Sequence, residues 1–200
     1  MSKRLLIVTL VLILIITSIS LAACSDSEDT PTPSPATEGP VSFIAIMHTN
    51  YGDITIELFH DKVPVTVDNF VKLVNDGFYD GIIFHRISDD FMIQAGFETA
   101  DGSVTTSPYG SIDLEIHSEA RHVDGAISMA RTNDPNSATS QFFICDGPQH
   151  FLDDAYAVFG VVTKGIDVVR TIAAQPHDNS NPAGGGIPLN QILIESIEMQ

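Results

Sequence analysis

The sequence predicts a domain built mainly of β-strands, arranged as a closed barrel or a sandwich with two helices over its open ends. Two observations predict this class. About eight short apolar runs are bounded by turn residues, and two longer segments carry apolar residues at helical spacing. Residues 41–200 are numerous enough to form one domain with a sizeable core.

The strands begin with a predicted hairpin over residues 42–60. DITIELF alternates Ile54, Ile56 and Leu58 with polar residues, which is the period of a half-buried strand. SFIAIMH precedes it, and the turn residues TNYGD separate the two runs. The remaining predicted strands are GIIFHRI, FMIQAGF, AISMA, QFFIC, YAVFGVV and QILIESIEM.

Two segments interrupt the strands and are predicted helices. In VTVDNFVKLVNDGFYDG, four apolar residues from Val67 to Val74 recur at i, i+3, i+4 and i+7 and form one stripe. Thr66 is the predicted N-terminal cap, and Gly77 is the predicted stop. GIDVVRTIAAQP repeats the helical pattern, and Pro176 ends it.

The first 23 residues have the organisation of an export signal. Basic MSKR precedes an apolar run from Leu5 to Ile16, and the small residues of LAAC lead to Cys24. LAAC resembles the lipobox of bacterial lipoproteins, which implies cleavage before Cys24 and acylation of its sulfur. The alternative is a membrane-spanning anchor, because Leu5 to Ala23 approaches the ~20 residues that cross a bilayer. The position of the cysteine favours residues 1–23 as a lipoprotein signal peptide, and both alternatives place the domain outside the cytoplasm.

Residues 24–40 are then the acylated cysteine and a disordered tether. SDSEDTPTPSPATEGP consists of Ser, Thr, Pro and acids with almost nothing to bury, so folding cannot offset its ordering entropy. Such a flexible segment reaches roughly 20 Å. We therefore expect a protein anchored by lipid to the cell membrane, or to the outer membrane of a two-membrane envelope.

Composition excludes several classes of function. The chain has 26 acidic and nine basic residues, and removing the signal also removes Lys3 and Arg4. The resulting field disfavours polyanions, so nucleic acid is excluded as a partner. The seven histidines show no ligand spacing with a further acid or cysteine, so no metal site is predicted. Cys145 has no disulfide partner if Cys24 is acylated.

Three long blocks resemble the signature blocks of the cyclophilin peptidyl-prolyl isomerases, in the same order and spacing. They are FHRISDDFMIQAGF at 84–97, GAISMARTNDPNSATSQFFIC at 125–145 and FLDDAYAVFGVVTKGIDVV at 151–169. The resemblance extends over about residues 43–197. It implies that residues 41–200 form a cyclophilin-like isomerase domain, a closed eight-stranded antiparallel β-barrel capped by two helices, with the active site on the outer face of the barrel.

The chemistry of this activity gives a reason for an arginine and an amide on apolar strands. An X–Pro bond rotates slowly because rotation breaks amide resonance, with a barrier of ~18–20 kcal/mol. No covalent bond forms or breaks, so no nucleophile, metal or cofactor is required. A fixed donor beside the twisted amide nitrogen binds the transition state more tightly than the planar ground state. By resemblance, Arg86 is this catalytic donor and Gln94 orients it.

The resemblance also implies a substrate-binding set around these two residues. It comprises the apolar walls and rim of a proline slot, a second amide, and backbone that binds the peptide before the proline: Phe91, Met92, Ala130, Arg131, Gln141, Phe143, Phe151, Leu152 and Tyr156. Burying a proline ring contributes roughly 1.5–2 kcal/mol, which orients a peptide without holding it tightly. Without the resemblance, the apolar members would be interpreted as ordinary core.

Three positions depart from the most studied eukaryotic members of the family. Those members have tryptophan at Phe151, histidine at Tyr156 and asparagine at Arg131. The tryptophan indole donates a hydrogen bond to cyclosporin, which Phe151 cannot do. We expect catalysis to survive, because the family contact at Arg131 is made by the backbone. The loop from Glu98 to Gly110 matches the family poorly, so the shape of the neighbouring pocket stays open.

Two functions remain open at this stage. The first is a prolyl isomerase that assists the folding of exported proteins. The second is a binding module that holds proline-containing peptides without useful turnover. The presence of both Arg86 and Gln94 favours the enzyme, because a pure binder does not require both. We expect a monomer whose partners are proline-containing polypeptides and, through its lipid, the membrane.

Overall fold

The structure is a computed structural model that describes residues 43–200. The predicted signal peptide, the predicted acylation site at Cys24 and the predicted tether lie outside the described residues. Within residues 43–200, no helix has the length and apolar character needed to cross a membrane.

All eight predicted strands are present, in one antiparallel sheet. They are β1 Phe43–Thr49, β2 Gly52–Leu58, β3 Arg86–Ser88, β4 Met92–Ala95, β5 Ala126–Met129, β6 Phe142–Cys145, β7 Val158–Lys164 and β8 Ile194–Met199. The strand order is β3-β4-β6-β5-β7-β2-β1-β8. β1 and β2 form the predicted hairpin, with Thr49 opposite Gly52 at the turn.

The prediction of a closed barrel is wrong, because the sheet is an open half-barrel with β3 and β8 at its edges. Within residues 43–200 these two strands do not pair with each other. The chain before β3 makes isolated backbone bonds instead, from Phe84 N–H to the Ile192 carbonyl and from Ile194 N–H to the Ile82 carbonyl. β3 has only three residues, and its free edge bonds to Gly186 rather than to another strand.

Within the described residues, the two α-helices are α1 Pro64–Asn75 and α2 Ile166–Ala173, and a short 3₁₀ helix covers His150–Leu152. Their apolar stripes pack on one face of the sheet, where Phe70 and Val169 are fully buried in the main core. α1 ends as predicted, because Gly77 adopts a left-handed φ of 66° and its N–H bonds to the Val74 carbonyl. α2 ends before Pro176, also as predicted.

The start of α1 differs from the prediction, since Val63 is the cap residue and Pro64 occupies the first turn. Proline fits there because its missing N–H would have no partner within the helix. Thr66 lies inside the helix and is buried. The cap is supplied by the carboxylate of Glu115, which accepts bonds from Val65 N–H at 3.2 Å and from Thr66 N–H at 2.6 Å.

The sheet carries a second apolar cluster on its other face. Successive side chains of a strand point to opposite faces, so Phe142 of β6 enters the main core and Phe143 enters the second cluster. Met92, Ala126, Cys145 and Val158 belong to the same cluster, and Phe91, Leu152 and Tyr156 partly cover it. We call this the outer cluster. It forms the base of the site described next.

Candidate active site

A pocket of about 190 Å³ opens over the outer cluster. Nine of the eleven site residues expected from the sequence line it: Arg86, Phe91, Met92, Gln94, Ala130, Arg131, Phe143, Leu152 and Tyr156. The other two lie next to it. Gln141 lines an adjoining pocket of about 210 Å³, and Phe151 lines an open groove of about 500 Å³. The structure therefore brings all eleven residues to one region of the surface.

Three neighbouring strands place the polar groups side by side. Arg86 of β3 lies opposite Gln94 of β4, and Gln94 lies opposite Phe143 of β6. Gln94 Oε1 accepts a long bond of 3.5 Å from Arg86 Nη1, and Gln94 Nε2 donates to Gln141 Oε1 at 3.1 Å. A guanidinium and two amides thus form a continuous chain along one wall of the pocket.

Arg86 has a second set of partners that the sequence did not reveal. Its Nε and Nη2 donate to the Gly184 carbonyl at 3.2 and 2.9 Å, and Nη2 also donates to the Ala183 carbonyl at 3.2 Å. The guanidinium carbon lies 5.6 Å from the centre of the Phe91 ring. Partial burial lowers the pKa of Arg86 from its usual value, but a guanidinium remains charged at neutral pH.

The base and rim of the pocket are aromatic and apolar. Phe143 and Met92 form the base, and Tyr156 meets the Phe143 ring edge-on at 5.8 Å. Arg131 fixes Tyr156 from the side, because its guanidinium lies 4.7 Å from the ring centre. Arg131 in turn donates hydrogen bonds of 2.8 Å from Nε to the Ala155 carbonyl and from Nη1 to the Thr132 carbonyl. These contacts fix the position of the Tyr156 ring at the rim.

A buried polar network supports Phe143 from behind. The His122 ring stacks on Phe143 at 5.9 Å and is fully buried. His122 Nδ1 lies 2.9 Å from Asp153 Oδ1, and Nε2 lies 3.1 Å from Ser128 Oγ. Because a carboxylate can only accept, Nδ1 carries the proton and the Ser128 hydroxyl donates to Nε2. Burial lowers the pKa of His122, although the bond to Asp153 opposes the change, so the ring is neutral at pH 7.

This serine–histidine–aspartate arrangement is structural rather than nucleophilic. Ser128 is fully buried, so no substrate carbonyl reaches its hydroxyl. Sequence reasoning missed the network because Asp153 is 31 residues from His122 and the intervening spacing matches no motif. The network fixes the His122 ring, which packs on Phe143 and so holds the base of the pocket in place.

A group of acids lies apart from the pocket wall. Carboxylate oxygens of Asp89, Asp90 and Asp146 lie within 4.8 Å of one another. Asp146 already accepts a bond from the Asp90 backbone N–H at 3.1 Å, and Arg170 Nε lies 3.7 Å from its other oxygen. None of the three lines the pocket, so the group has no evident part in chemistry there.

Comparison with known proteins places this geometry in a family. The sequence profile described as "Cyclophilin type peptidyl-prolyl cis-trans isomerase/CLD" matches residues 44–199. A peptidyl-prolyl cis-trans isomerase of Acinetobacter baylyi is 46% identical over 167 residues, which cover 77% of this chain and 84% of that protein. One from Schizosaccharomyces pombe is 42% identical, with 68% and 88% covered.

Solved structures agree with the sequence comparisons. A crystal structure of a cyclophilin-type isomerase from Cryptosporidium parvum has a TM-score of 0.68 and 30% identity, covering 80% of this chain and 98% of that one. The same protein was also solved in the presence of the dipeptide Ala-Pro. The chain therefore belongs to the family of cyclophilin-type peptidyl-prolyl cis-trans isomerases, enzymes that accelerate rotation about X–Pro bonds.

Proposed function

We propose that this protein isomerises X–Pro bonds in exported polypeptides, with Arg86 as the donor to the twisted amide. The observation that carries the proposal is the position of the Arg86 guanidinium at the wall of a pocket whose base is Phe143 and Met92. The pocket has the size and polarity for a proline ring. The C. parvum relative was solved with a proline-containing dipeptide, which supports the same class of ligand here.

The reaction requires only binding and one directed donor. The proline ring enters the apolar slot, and the peptide around it stays at the surface, where the amide can rotate. As the amide twists, its nitrogen loses resonance and becomes a better acceptor. A bond from Arg86 strengthens at that moment, which lowers the barrier without any proton transfer. Gln94 keeps the guanidinium in the plane of the wall through its own bond to Gln141.

Kinetics of Arg86→Ala beside peptide affinity test this assignment. Because the lost interaction belongs to the transition state, kcat/KM should fall by on the order of 10²–10³ while peptide Kd changes little. Arg86→Lys should recover only a small part, since an ammonium lacks the planar fork. Equal losses in rate and affinity would mean that Arg86 only binds, and absence of acceleration by the wild-type protein would leave a binding module.

The proposed location is outside the cytoplasm, on a lipid anchor at Cys24. LAAC at the end of a short apolar run supports it. One acyl chain binds membranes only marginally, so stable anchoring requires more than one. Mass spectrometry of the chain purified from its native membrane should find a lipidated N-terminal cysteine, and Cys24→Ser should release or misprocess the domain. An intact Met1 or an unmodified Cys24 would contradict the proposal.

A further inference from the structure

The segment 178–187, between α2 and β8, contacts the residue at the centre of the proposed mechanism. We call it the 178–187 loop. It docks on the free edge of β3 through a reciprocal pair of backbone bonds between Gly186 and Ile87, both of 3.0 Å. Ile87 directly follows Arg86 in the chain. The loop therefore covers an otherwise open sheet edge at the position where the guanidinium emerges.

The loop is held in shape by its own hydrogen bonds. A tight turn joins Gly184 N–H to the Asn181 carbonyl at 3.0 Å, and the Asn181 side chain accepts from Ala183 N–H at 2.9 Å. At the base of the loop, Asp178 Oδ1 accepts from Ser180 N–H at 3.0 Å and from Ile187 N–H at 2.9 Å. The carbonyls at the tip consequently have fixed directions.

Those carbonyls occupy one side of the Arg86 guanidinium. Nε and Nη2 have three N–H groups between them, and the Gly184 and Ala183 carbonyls receive three bonds from them. Within residues 43–200, Nη1 has only the long bond to Gln94. Nη1 is thus the nitrogen with a donor left for a substrate.

We propose that the 178–187 loop is a positioning element for Arg86, which selects Nη1 as the donor to the substrate; this rests on the proposed function. Neutral carbonyls fix the direction of the guanidinium without cancelling its charge, whereas a carboxylate partner would neutralise it. The distinction matters in a chain with 26 acidic residues, where a carboxylate partner was readily available.

Gly185 offers a substitution that separates the loop from β3. Its φ is +74°, and a methyl group on its Cα would overlap the Ile87 carbonyl of β3. Gly185→Ala should therefore lift the loop tip away from Arg86. Gly110→Ala is the matched control, because Gly110 has nearly the same φ, +77°, and has no atom within 4 Å of the added methyl. It reproduces the backbone strain without the displacement.

We expect Gly185→Ala to lower kcat/KM by roughly 10- to 100-fold, because misplacing a catalytic group by about 1 Å costs up to that much. Peptide Kd, measured by titration, should change little, and Gly110→Ala should have wild-type activity. The decisive readout is the same substitution in an Arg86→Ala background, where it should cause no further loss. By NMR, the Nε–H of Arg86 should be protected from exchange in the wild type and lose that protection in Gly185→Ala.

A loss that persists in the Arg86→Ala background would show that the loop does not act through Arg86, and the inference would be wrong. Wild-type activity for Gly185→Ala would also overturn the inference. If Arg86→Ala loses activity and Gly185→Ala does not, the inference about the loop fails while the proposed function stands. If Gly185→Ala fails to fold, Asp178→Ala and Asp178→Asn decide. Removing the acceptor at the base of the loop should lower kcat/KM, and the isosteric amide should restore most of it. Equal activity of the two variants would contradict the inference.

Discussion

His85 is a partly buried histidine next to the positive charge of Arg86. Its ring meets Phe97 edge-on at 4.4 Å, and Nδ1 is buried with no hydrogen-bond partner among residues 43–200. Burial, and secondarily the positive charge of Arg86, lower the pKa of His85 to about 4. A histidine that must stay neutral in the fold makes stability depend on pH.

The first prediction is a loss of stability in acid that is due to His85. The pKa is about 6.5 in the unfolded chain and about 4 in the fold, so the unfolded state binds more protons between these values. The contribution is complete above pH 6.5 and is lost as the pH falls through 4, by up to about 3 kcal/mol. Urea unfolding at pH 7 and pH 4.5 should show a smaller difference for His85→Phe than for the wild type. The same difference in both proteins would contradict the assignment.

The second prediction concerns Phe151, whose side chain is 72% exposed and stacks on Phe91 at 5.9 Å. It keeps the apolar contact of the family's tryptophan but offers no N–H. The missing donor costs about 0.5–1.5 kcal/mol toward cyclosporin, so inhibition should be weaker than for members with tryptophan. Phe151→Trp should tighten inhibition several-fold while isomerase activity stays nearly unchanged. Unaltered inhibition would show that the rim does not set drug affinity.

At the scale of elements, strand positions were predictable and closure of the sheet was not. The alternation in DITIELF is local and fixes which side chains of β2 are buried. Closure depends on whether β3 and β8 pair. These strands are over a hundred residues apart, so no local sequence pattern indicates whether they do. Nothing in the sequence of the 178–187 loop indicates a role, since its contacts to Arg86 use backbone carbonyls that any sequence possesses.

The grouping of the expected site residues around one pocket was predictable for a different reason. Their roles came from resemblance to a family, whereas His122 and Asp153 behind Phe143 carry no signature of their own.

Glu115 also could not be predicted from local sequence. Its carboxylate caps α1 from 49 residues away, so local rules directed the prediction to Thr66 instead.

The third prediction is that α1 depends on Glu115. Glu115→Ala removes the acceptor of two backbone N–H groups and of the Thr66 hydroxyl at 2.7 Å. Losing a helix cap costs about 0.5–2 kcal/mol, and the upper part of that range applies because Thr66 is buried. Glu119→Ala is the control, since its pair with Lys62 at 3.7 Å is exposed and contributes less than about 1 kcal/mol. Equal denaturation midpoints for the two variants would exclude the capping role.

At the scale of the whole molecule, the cleft has the opposite charge to the protein. The formal net charge is −17, yet no carboxylate lines the proline pocket itself, whose charged residues are Arg86 and Arg131. Of the three adjoining spaces in the described chain, only the one of about 410 Å³ is lined by an acid, Glu98. Surface acids farther than about 8 Å are screened at physiological ionic strength, so the two arginines set the local field at the pocket wall.

The fourth prediction follows from this local field. Arg131 uses Nε and Nη1 to hold the rim, which leaves Nη2 without a bond within residues 43–200. A peptide with Glu before the proline should therefore be isomerised with a kcat/KM roughly 2- to 5-fold higher than its Lys counterpart, the size expected for one exposed ion pair. Arg131→Gln removes the charge and should reduce this ratio, and the activity on an Ala peptide measures any separate loss from the weakened rim. Raising the salt concentration should reduce the ratio in the same way, because the interaction is screened. If neither Arg131→Gln nor salt changes the Glu-to-Lys ratio, the prediction is wrong. The two arginines would then stabilise the cleft without discriminating between peptides by charge.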